Sequence, residues 1–310
     1  MPARTPTRAL KRAGAGLALA AGVVFAAVLV RLAWVPSART AHYEVPLQAP
    51  LTIPTGPAAI ARGRHLAESV AVCTLCHGDD LGGRLAFDHP LLGRGYTPNL
   101  TGGRGGIGTG YEVADWARAL RHGVDRQGRG LLFMPVDHYR HLRDEDLGAL
   151  VAYFRSLPPV NNERTRLELT SFARLMIDLG LSGEVVRAAK IDHAAAPVEP
   201  PVQEGAYLVQ IGGCTFCHGA DLAGGQGLEP GAPPGPDLTS SGRAAGRGYN
   251  AFVAAMRTGV DGDGHAIDPR FMPWQGYRGM TDEELRAVWA HVQQLPARTG
   301  RVPVPVSRAR

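Results

Sequence analysis

Apolar residues follow two different patterns along this chain. The first is a block: Ala13 to Val30 holds no charged or strongly polar side chain, Leu32 to Val35 extends it past Arg31, and Arg4, Arg8, Lys11 and Arg12 precede it. Its length and flanking charge predict a helix that can span a bilayer, with its N-terminus in the cytoplasm. Arg31 then reaches for the far interface beside Trp34. A cleaved secretory signal is the rival reading, but no clean small-x-small site directly follows the run, so an uncleaved anchor is expected over 13–35. Either reading exports the chain beyond Pro36.

The second pattern is helical. Leu285, Val288, Trp289 and Val292 fall at i, i+3, i+4 and i+7 behind Thr281-Asp-Glu-Glu284, which has the form of a capping box. Leu147, Leu150, Val151 and Phe154 repeat that face behind Asp144 to Asp146, favourable at a helix N-terminus. Pro158 and Pro296 mark the stops. Leu167, Leu169, Phe172, Leu175, Met176 and Leu179 show similar spacing within Thr165 to Lys190, predicting a helix that docks between two larger units. Ala194 to Pro201 then reads as linker.

The two helical faces belong to an internal repeat. Arg62-Gly63-Arg64-His65-Leu66 returns as Glu204-Gly205-Ala206-Tyr207-Leu208, and Asp80-Leu81 as Asp221-Leu222. Pro98-Asn-Leu-Thr101 returns as Pro236-Asp-Leu-Thr239, Gly123-Val-Asp125 as Gly259-Val-Asp261, and Phe133-Met-Pro135 as Phe271-Met-Pro273. Gly63 and Gly205 each lie in a helix, where glycine weakens the helix but admits another helix closely. The terminal helices of each unit are expected to cross there.

The four cysteines fall inside the repeat as Cys73-Thr-Leu-Cys76-His77 and Cys214-Thr-Phe-Cys217-His218. This is the C-x-x-C-H signature for attaching c-type haem. Two thiols reach two porphyrin vinyl groups, and the adjacent histidine falls under the iron. A zinc site leaves both histidines unexplained, and a thioredoxin-like dithiol wants a βαβ pattern that is missing. Methionine fills the distal side in high-potential carriers. Of six methionines only Met134 and Met272 occupy equivalent positions, each followed by a proline that stiffens the loop. Met1 and Met176 lie outside the repeats, while Met256 and Met280 have no methionine partner in the first half. His122, His138 and His141 align with Thr258, Gly276 and Gly279, and His89 and His265 also lack partners. These five, with His42, His65, His193 and His291, are expected on surfaces or loops.

Composition adds little that conflicts. The 310 residues suit two domains, and 40 glycines with 24 prolines promise many turns. With aromatics at only 6 %, a buried porphyrin would supply apolar volume to a small core. The balance of 33 Lys+Arg against 28 Asp+Glu is mildly basic, with several cations at the chain ends, and no nucleic-acid module is present. Gly102 to Gly110 lacks the Gly-Lys-[Ser/Thr] ending of a phosphate loop and is expected to be a flexible surface loop.

With these motifs, 54–162 and 200–297 resemble class I cytochrome c domains, and more narrowly the membrane-bound multi-haem cytochrome subunits of periplasmic alcohol and sugar-acid dehydrogenases. Arg121-His-Gly-Val-Asp125, Tyr139 to Leu142 before Asp144-Glu-Asp-Leu147, and Val151-Ala-Tyr-Phe-Arg-Ser-Leu-Pro-Pro159 carry the likeness together with Pro98 to Thr101. Subunits of that class usually hold three haems and a C-terminal membrane contact; this chain has two motifs. The expectation is an all-α protein of two tandem class I cytochrome c domains after a transmembrane helix. Its parts are a cytoplasmic N-terminus 1–12, an anchor 13–35, a linker 36–53, domains 54–162 and 201–297, an inter-domain helix and linker 163–200, and a flexible tail 298–310. Two covalent haem c groups are implied, on Cys73 and Cys76 and on Cys214 and Cys217, with His77 and Met134, and His218 and Met272, as axial ligands. The implied activity is electron transfer, not catalysis, between a membrane or periplasmic donor and a respiratory acceptor. Partners are a dehydrogenase, terminal oxidase or soluble cytochrome, and the place is the periplasmic face of a bacterial inner membrane. The alternative is a haem enzyme with one openable iron, a peroxidase or a sulfur-compound oxidoreductase; the latter class uses a cysteine distal ligand, and none is spare.

Overall fold

The computed structural model describes residues 8–34, 41–46, 51–164, 167–181, 185–195, 198–225 and 232–297, with side chains of the first helix described over 16–30. The expected parts at 1–7, 35–40, 47–50 and 298–310 lie outside the described residues.

Each half is framed by two helices that cross at a glycine. In the first half α2 (Pro57–His65) meets α6 (Asp144–Ser156), and in the second α8 (Glu204–Ile211) meets α13 (Asp282–Gln294). A Cβ on Gly63 would lie 2.0 Å from the Ala149 carbonyl oxygen, and one on Gly205 2.0 Å from that of Ala287. Both crossings fall where the repeated glycines place them. The capping box at the start of α13 is formed, with the Glu284 amide donating to Thr281 Oγ1 and the Thr281 amide to Glu284 Oε2. Leu157 and Leu295, each before proline, are extended and end their helices. Leu147, Leu150, Val151 and Phe154 are buried, as are Leu285, Val288 and Val292. One difference between the halves is an inserted π turn at Leu66–Val70, which continues α2 directly and accommodates one more residue before the cysteines than α8 needs.

The remaining helices are α3 (Cys73–His77), α4 (Val113–Ala117), α5 (Val136–Tyr139), α7 (Ser171–Asp178), α9 (Cys214–His218), α10 (Arg243–Gly246), α11 (Gly248–Thr258) and α12 (Trp274–Tyr277). The chain is not all-α. Strands β1 (Leu85–His89), β2 (Gly93–Tyr96) and β3 (Leu167–Leu169) form an antiparallel sheet in that order. The strands are short and β1 is exposed at both faces over most of its length, so no alternation of apolar and polar residues announces them. Leu167 and Leu169, expected on a helix, pair with Gly95 and Gly93 instead. Helix α7 does form just after, capped by Thr170, and Ile177 packs with Val186, Ala188 and Val124 in a small satellite core.

The transmembrane anchor expected over 13–35 is also corrected. Helix α1 (Arg8–Trp34) is present, but among the described residues no helix is long and apolar enough to cross a membrane. The charged residues Arg8, Lys11, Arg12 and Arg31 lie within this helix. Gly102 to Gly110 is a loop at the surface, with Gly102, Arg104, Gly105, Thr109 and Gly110 exposed, but it is held at its glycines. A Cβ on Gly103 would lie 2.0 Å from the Val160 carbonyl oxygen and one on Gly105 2.3 Å from that of Asn162, so this segment is packed against the chain beyond α6.

The halves share one continuous hydrophobic cluster, and their polar contacts obey a pseudo-twofold rule. Tyr207 donates to Asp146 at 2.7 Å, and its equivalent His65 bonds Glu284, the equivalent of Asp146, at 2.7 Å. Such reciprocity is the mark of an isologous contact. Arg62 grips Asp146 through Nε at 2.8 Å and Nη2 at 3.0 Å and reaches Glu284 at 3.5 Å. Burial by itself would raise the Glu284 carboxyl, but the His65 hydrogen bond, the Thr281 amide and the Arg62 charge outweigh it and hold it below the ordinary value. A carboxyl lowered on folding contributes stability above its unfolded pKa of ~4.3, and that contribution is lost as the pH falls through the folded value. The urea midpoint is therefore expected to drop as pH is taken from about 5 to about 3, with Glu284→Gln flattening the drop. Identical pH profiles for the two proteins would count against the linkage.

Candidate functional site

Cys73, Cys76 and His77 fall at i, i+3 and i+4 of the single-turn helix α3, and Cys214, Cys217 and His218 do so on α9. That spacing puts both thiols and the imidazole on one helical face. Each helix is entered through a left-handed residue, Val72 at φ 44° and Gly213 at φ 70°, and left through Gly78 or Gly219 near φ 85°. A valine in that region is costly, of order 1–3 kcal/mol, and persists only where the surroundings impose it. Both histidines are buried, Cys73 is buried, Cys214 and Cys217 are half-buried, and Cys76 is exposed. No disulfide joins the four cysteines, and burial pushes the Cys73 and Cys214 thiols up to about 12.

The repeated Pro98-Asn-Leu-Thr101 and Pro236-Asp-Leu-Thr239 orient the histidines. His77 Nδ1 donates to the Pro98 carbonyl at 2.9 Å and His218 Nδ1 to that of Pro236 at 2.8 Å. Asn99 Oδ1 accepts from the Thr101 amide and hydroxyl, and Asp237 Oδ1 from those of Thr239, so the same Asx turn shapes each carbonyl. Burial lowers both imidazoles below the usual range, against the opposing pull of the carbonyls. A neutral ring with Nδ1 committed presents the lone pair of Nε2, which is how a metal-ligating histidine is set.

Met134 and Met272 are half-buried against the shared core. Each precedes a proline at the centre of an inverse γ-turn: Pro135 has φ −81° and ψ 62°, Pro273 φ −77° and ψ 57°. The Val136 amide closes the first turn on the Met134 carbonyl at 2.8 Å, and the Trp274 amide the second on that of Met272 at 2.7 Å. A tyrosine then ties each strap to its attachment helix, Tyr139 donating to the Ala71 carbonyl and Tyr277 to that of Gly212, both at 2.7 Å. Arg121 spans the Leu142 carbonyl and Asp144, and Arg257 spans the Met280 carbonyl and Asp282 in the same way.

Residues 202–296 match the family described as cytochrome c, and residues 58–154 match cytochrome c oxidase, cbb3-type, subunit III. The chain carries cytochrome c domains. It is similar to a nicotinate dehydrogenase subunit of Pseudomonas putida, 31 % identical over 61 % of this chain and 17 % of that protein. The gluconate 2-dehydrogenase cytochrome c subunit of Pantoea cypripedii is 32 % identical over 52 % of this chain and 38 % of its own length. The fructose dehydrogenase cytochrome subunit of Gluconobacter japonicus is 28 % identical over 77 % and 53 %. The chain thus spans from about a sixth to about half of these relatives, and as a multi-haem cytochrome c it is like the cytochrome subunits of dehydrogenases.

The residues of these cytochrome c domains fit haem c. Trp116 Nε1 is a buried donor without a protein partner, in the cluster that includes Cys73, Leu81, Leu100 and Tyr139, as suits the polar edge of a large apolar group. Met256 and Met280 are core side chains. The histidines depart from expectation. His122 is buried with its Nδ1 3.1 Å from that of His193, His65 bonds Glu284, and His138 is buried where the two halves meet. The roles of the Pro98 and Pro236 carbonyls, of Tyr139 and Tyr277 and of Arg121 and Arg257 were not read from the sequence, although all six recur in the repeat.

Proposed function

We propose that this chain is an electron carrier with two covalent haem c groups, one on Cys73 and Cys76 with His77 and Met134 as axial ligands, the other on Cys214 and Cys217 with His218 and Met272. Haem iron supplies reversible one-electron chemistry. The observation that carries this reading is the paired geometry: two thiols and an imidazole on one helical face, the imidazole committed through Nδ1 to a proline carbonyl, and a methionine on a proline-locked turn, each found twice.

The protein's part is to hold each site closed and rigid. Cys73 and Cys76 fix the first cofactor to the chain, the Pro98 carbonyl holds the His77 ring in one tautomer, and the γ-turn at Pro135 holds the strap that offers a thioether. Little reorganisation on gain or loss of an electron is the virtue of such a site. The partner we favour is a dehydrogenase, because the similar proteins are named as dehydrogenase cytochrome subunits, with a terminal oxidase or soluble cytochrome as acceptor. The haem domains work on the exported side of a bacterial membrane, a placement supported by the basic start and apolar run before Arg31. A reduced-minus-oxidised spectrum with a pyridine haemochrome count and a carbon monoxide titration tests this. Two c-type haems with no carbon monoxide binding are expected; one haem that binds it makes catalysis at that iron the leading reading.

A further inference from the structure

The pseudo-twofold contact brings each attachment helix against the other half's methionine strap. Val72, just before Cys73, lies against Gly276, where a Cβ would be 2.8 Å from Val72 Cγ1. Gly213, just before Cys214, lies against His138, where a Cβ would be 3.4 Å from Cδ2 and 3.6 Å from Nε2. Positions 138 and 276 are equivalent, each four residues past its strap methionine. One corner therefore carries an imidazole and its twin carries no side chain.

His138 is 6 % exposed, and neither of its ring nitrogens has a hydrogen-bond partner. Its ring stands edge-on to Phe216, inside the second C-x-x-C, with centroids 5.8 Å apart and planes at 87°. Arg187 covers the Phe216 ring at 4.9 Å. Burial lowers the imidazole to about 4, with Asp137 opposing and Arg187 and His141 adding, so at neutral pH the ring is uncharged and offers one N–H and one lone pair. A buried polar group with nothing to bond costs roughly 1–3 kcal/mol and calls for a partner outside the polypeptide. His138 sits in the first half's strap, yet Gly213 and Phe216 of the second half's attachment segment lie against its ring, so the group attached there is the partner its position favours.

We propose that His138, although it belongs to the first domain, is a positioning residue for the haem attached at Cys214 and Cys217, giving that group a hydrogen bond across the domain interface. The proposal rests on the haem reading of the second motif. It makes the two haems inequivalent, because Gly276 can give the first haem nothing comparable. It also joins the sites: the strap carrying Met134 continues along the chain to His138, which packs on Gly213 beside Cys214.

The test uses the full, haem-loaded chain. Pyridine haemochrome counting and the masses of the haem peptides first show which motifs are loaded, and absence of haem from both would defeat the underlying reading by itself. The two midpoint potentials are then measured by spectroelectrochemistry in wild type, in His138→Phe, which keeps a ring and removes the N–H, and in His138→Gln, which restores an N–H. Potentials are assigned to motifs through the Met272 variant. His138→Phe is expected to shift the potential of the haem at Cys214 and leave the haem at Cys73 in place, and His138→Gln to move the second haem back towards wild type. Unchanged potentials, a shift confined to the first haem, or no return with glutamine overturns the proposal. If His138→Phe matures with a single haem, a vacant second motif supports it and a vacant first motif overturns it.

Discussion

Replacing Met272 by leucine is expected to leave both haems covalently attached, lower the potential of the second haem, and allow carbon monoxide to bind to it when reduced. The thioether is the softest available neighbour for the iron's distal side, and it favours the ferrous state. Axial ligation sets haem potentials over a range of roughly 0.8 V, so a fall of tenths of a volt is the scale to look for. The Pro273 turn and the Tyr277 bond to Gly212 remain in the variant, so the loop itself should keep its course. Met134→Leu should do the same to the first haem. The informative control is Met280→Leu. That side chain is 4 % exposed in the core, and a volume-conserving swap there costs under ~1.5 kcal/mol and should move neither potential. A Met272→Leu protein that excludes carbon monoxide and keeps its spectrum removes Met272 from the ligand set.

That contrast shows what was legible in the sequence. Met134 and Met272 stood out from Met256 and Met280 because a repeat makes position meaningful: only the strap pair recurs with proline behind it. The C-x-x-C-H helices, the capping box at Thr281 and the glycines at 63 and 205 were legible for a related reason, since each is a local device whose geometry comes from a few consecutive residues. The three-stranded sheet was not, because Gly93 and Gly95 pair without any apolar alternation to advertise a strand. The α1 segment misled because an apolar run flanked by basic residues satisfies the pattern for a span, and Arg31 inside the helix was read as an interfacial anchor.

Histidine burial was hidden by a different cause. Aligned against Gly276, His138 looks like a loop variant, and His65 aligned against Tyr207 looks like a surface swap. Both are buried or bonded by the opposite half: His138 by Gly213 and Phe216, His65 by Glu284. Comparing the repeats with each other erases that information, because it treats as independent the two units whose contact produces it. The clue that survives is chemical reciprocity. Tyr207 and His65 are both donors, and their partners Asp146 and Glu284 are both carboxylates, so the pairing is kept in kind though no residue matches.

Alanine at Gly63 or Gly205 is expected to be among the most destructive single substitutions in either half, although alanine is ordinarily the better helix former. On an open helical site the change gains roughly 0.4–1 kcal/mol by reducing the freedom of the unfolded chain. Gly246 in α10 is such a site, with nothing within 4 Å of a built Cβ. At Gly63 the same carbon would sit 2.0 Å from the Ala149 carbonyl oxygen and 2.7 Å from Tyr153 Cβ, and at Gly205 2.0 Å from the Ala287 oxygen and 2.8 Å from His291 Cβ. The obstacle is backbone on a neighbouring helix, so no rotamer change relieves it and α2 must part from α6, or α8 from α13. Overpacking of this kind costs typically 1–3 kcal/mol and more where the surroundings are rigid. Parting α2 from α6 also stretches the Arg62 grip on Asp146 and the Tyr207 bond to the same carboxylate, so damage at Gly63 should reach the second half. Chemical denaturation of the three haem-loaded variants measures this: Gly246→Ala at or above wild type, Gly63→Ala and Gly205→Ala well below it, with reduced haem incorporation in the affected half. Near-wild-type midpoints for Gly63→Ala would mean that the helices cross with more room than their glycines imply.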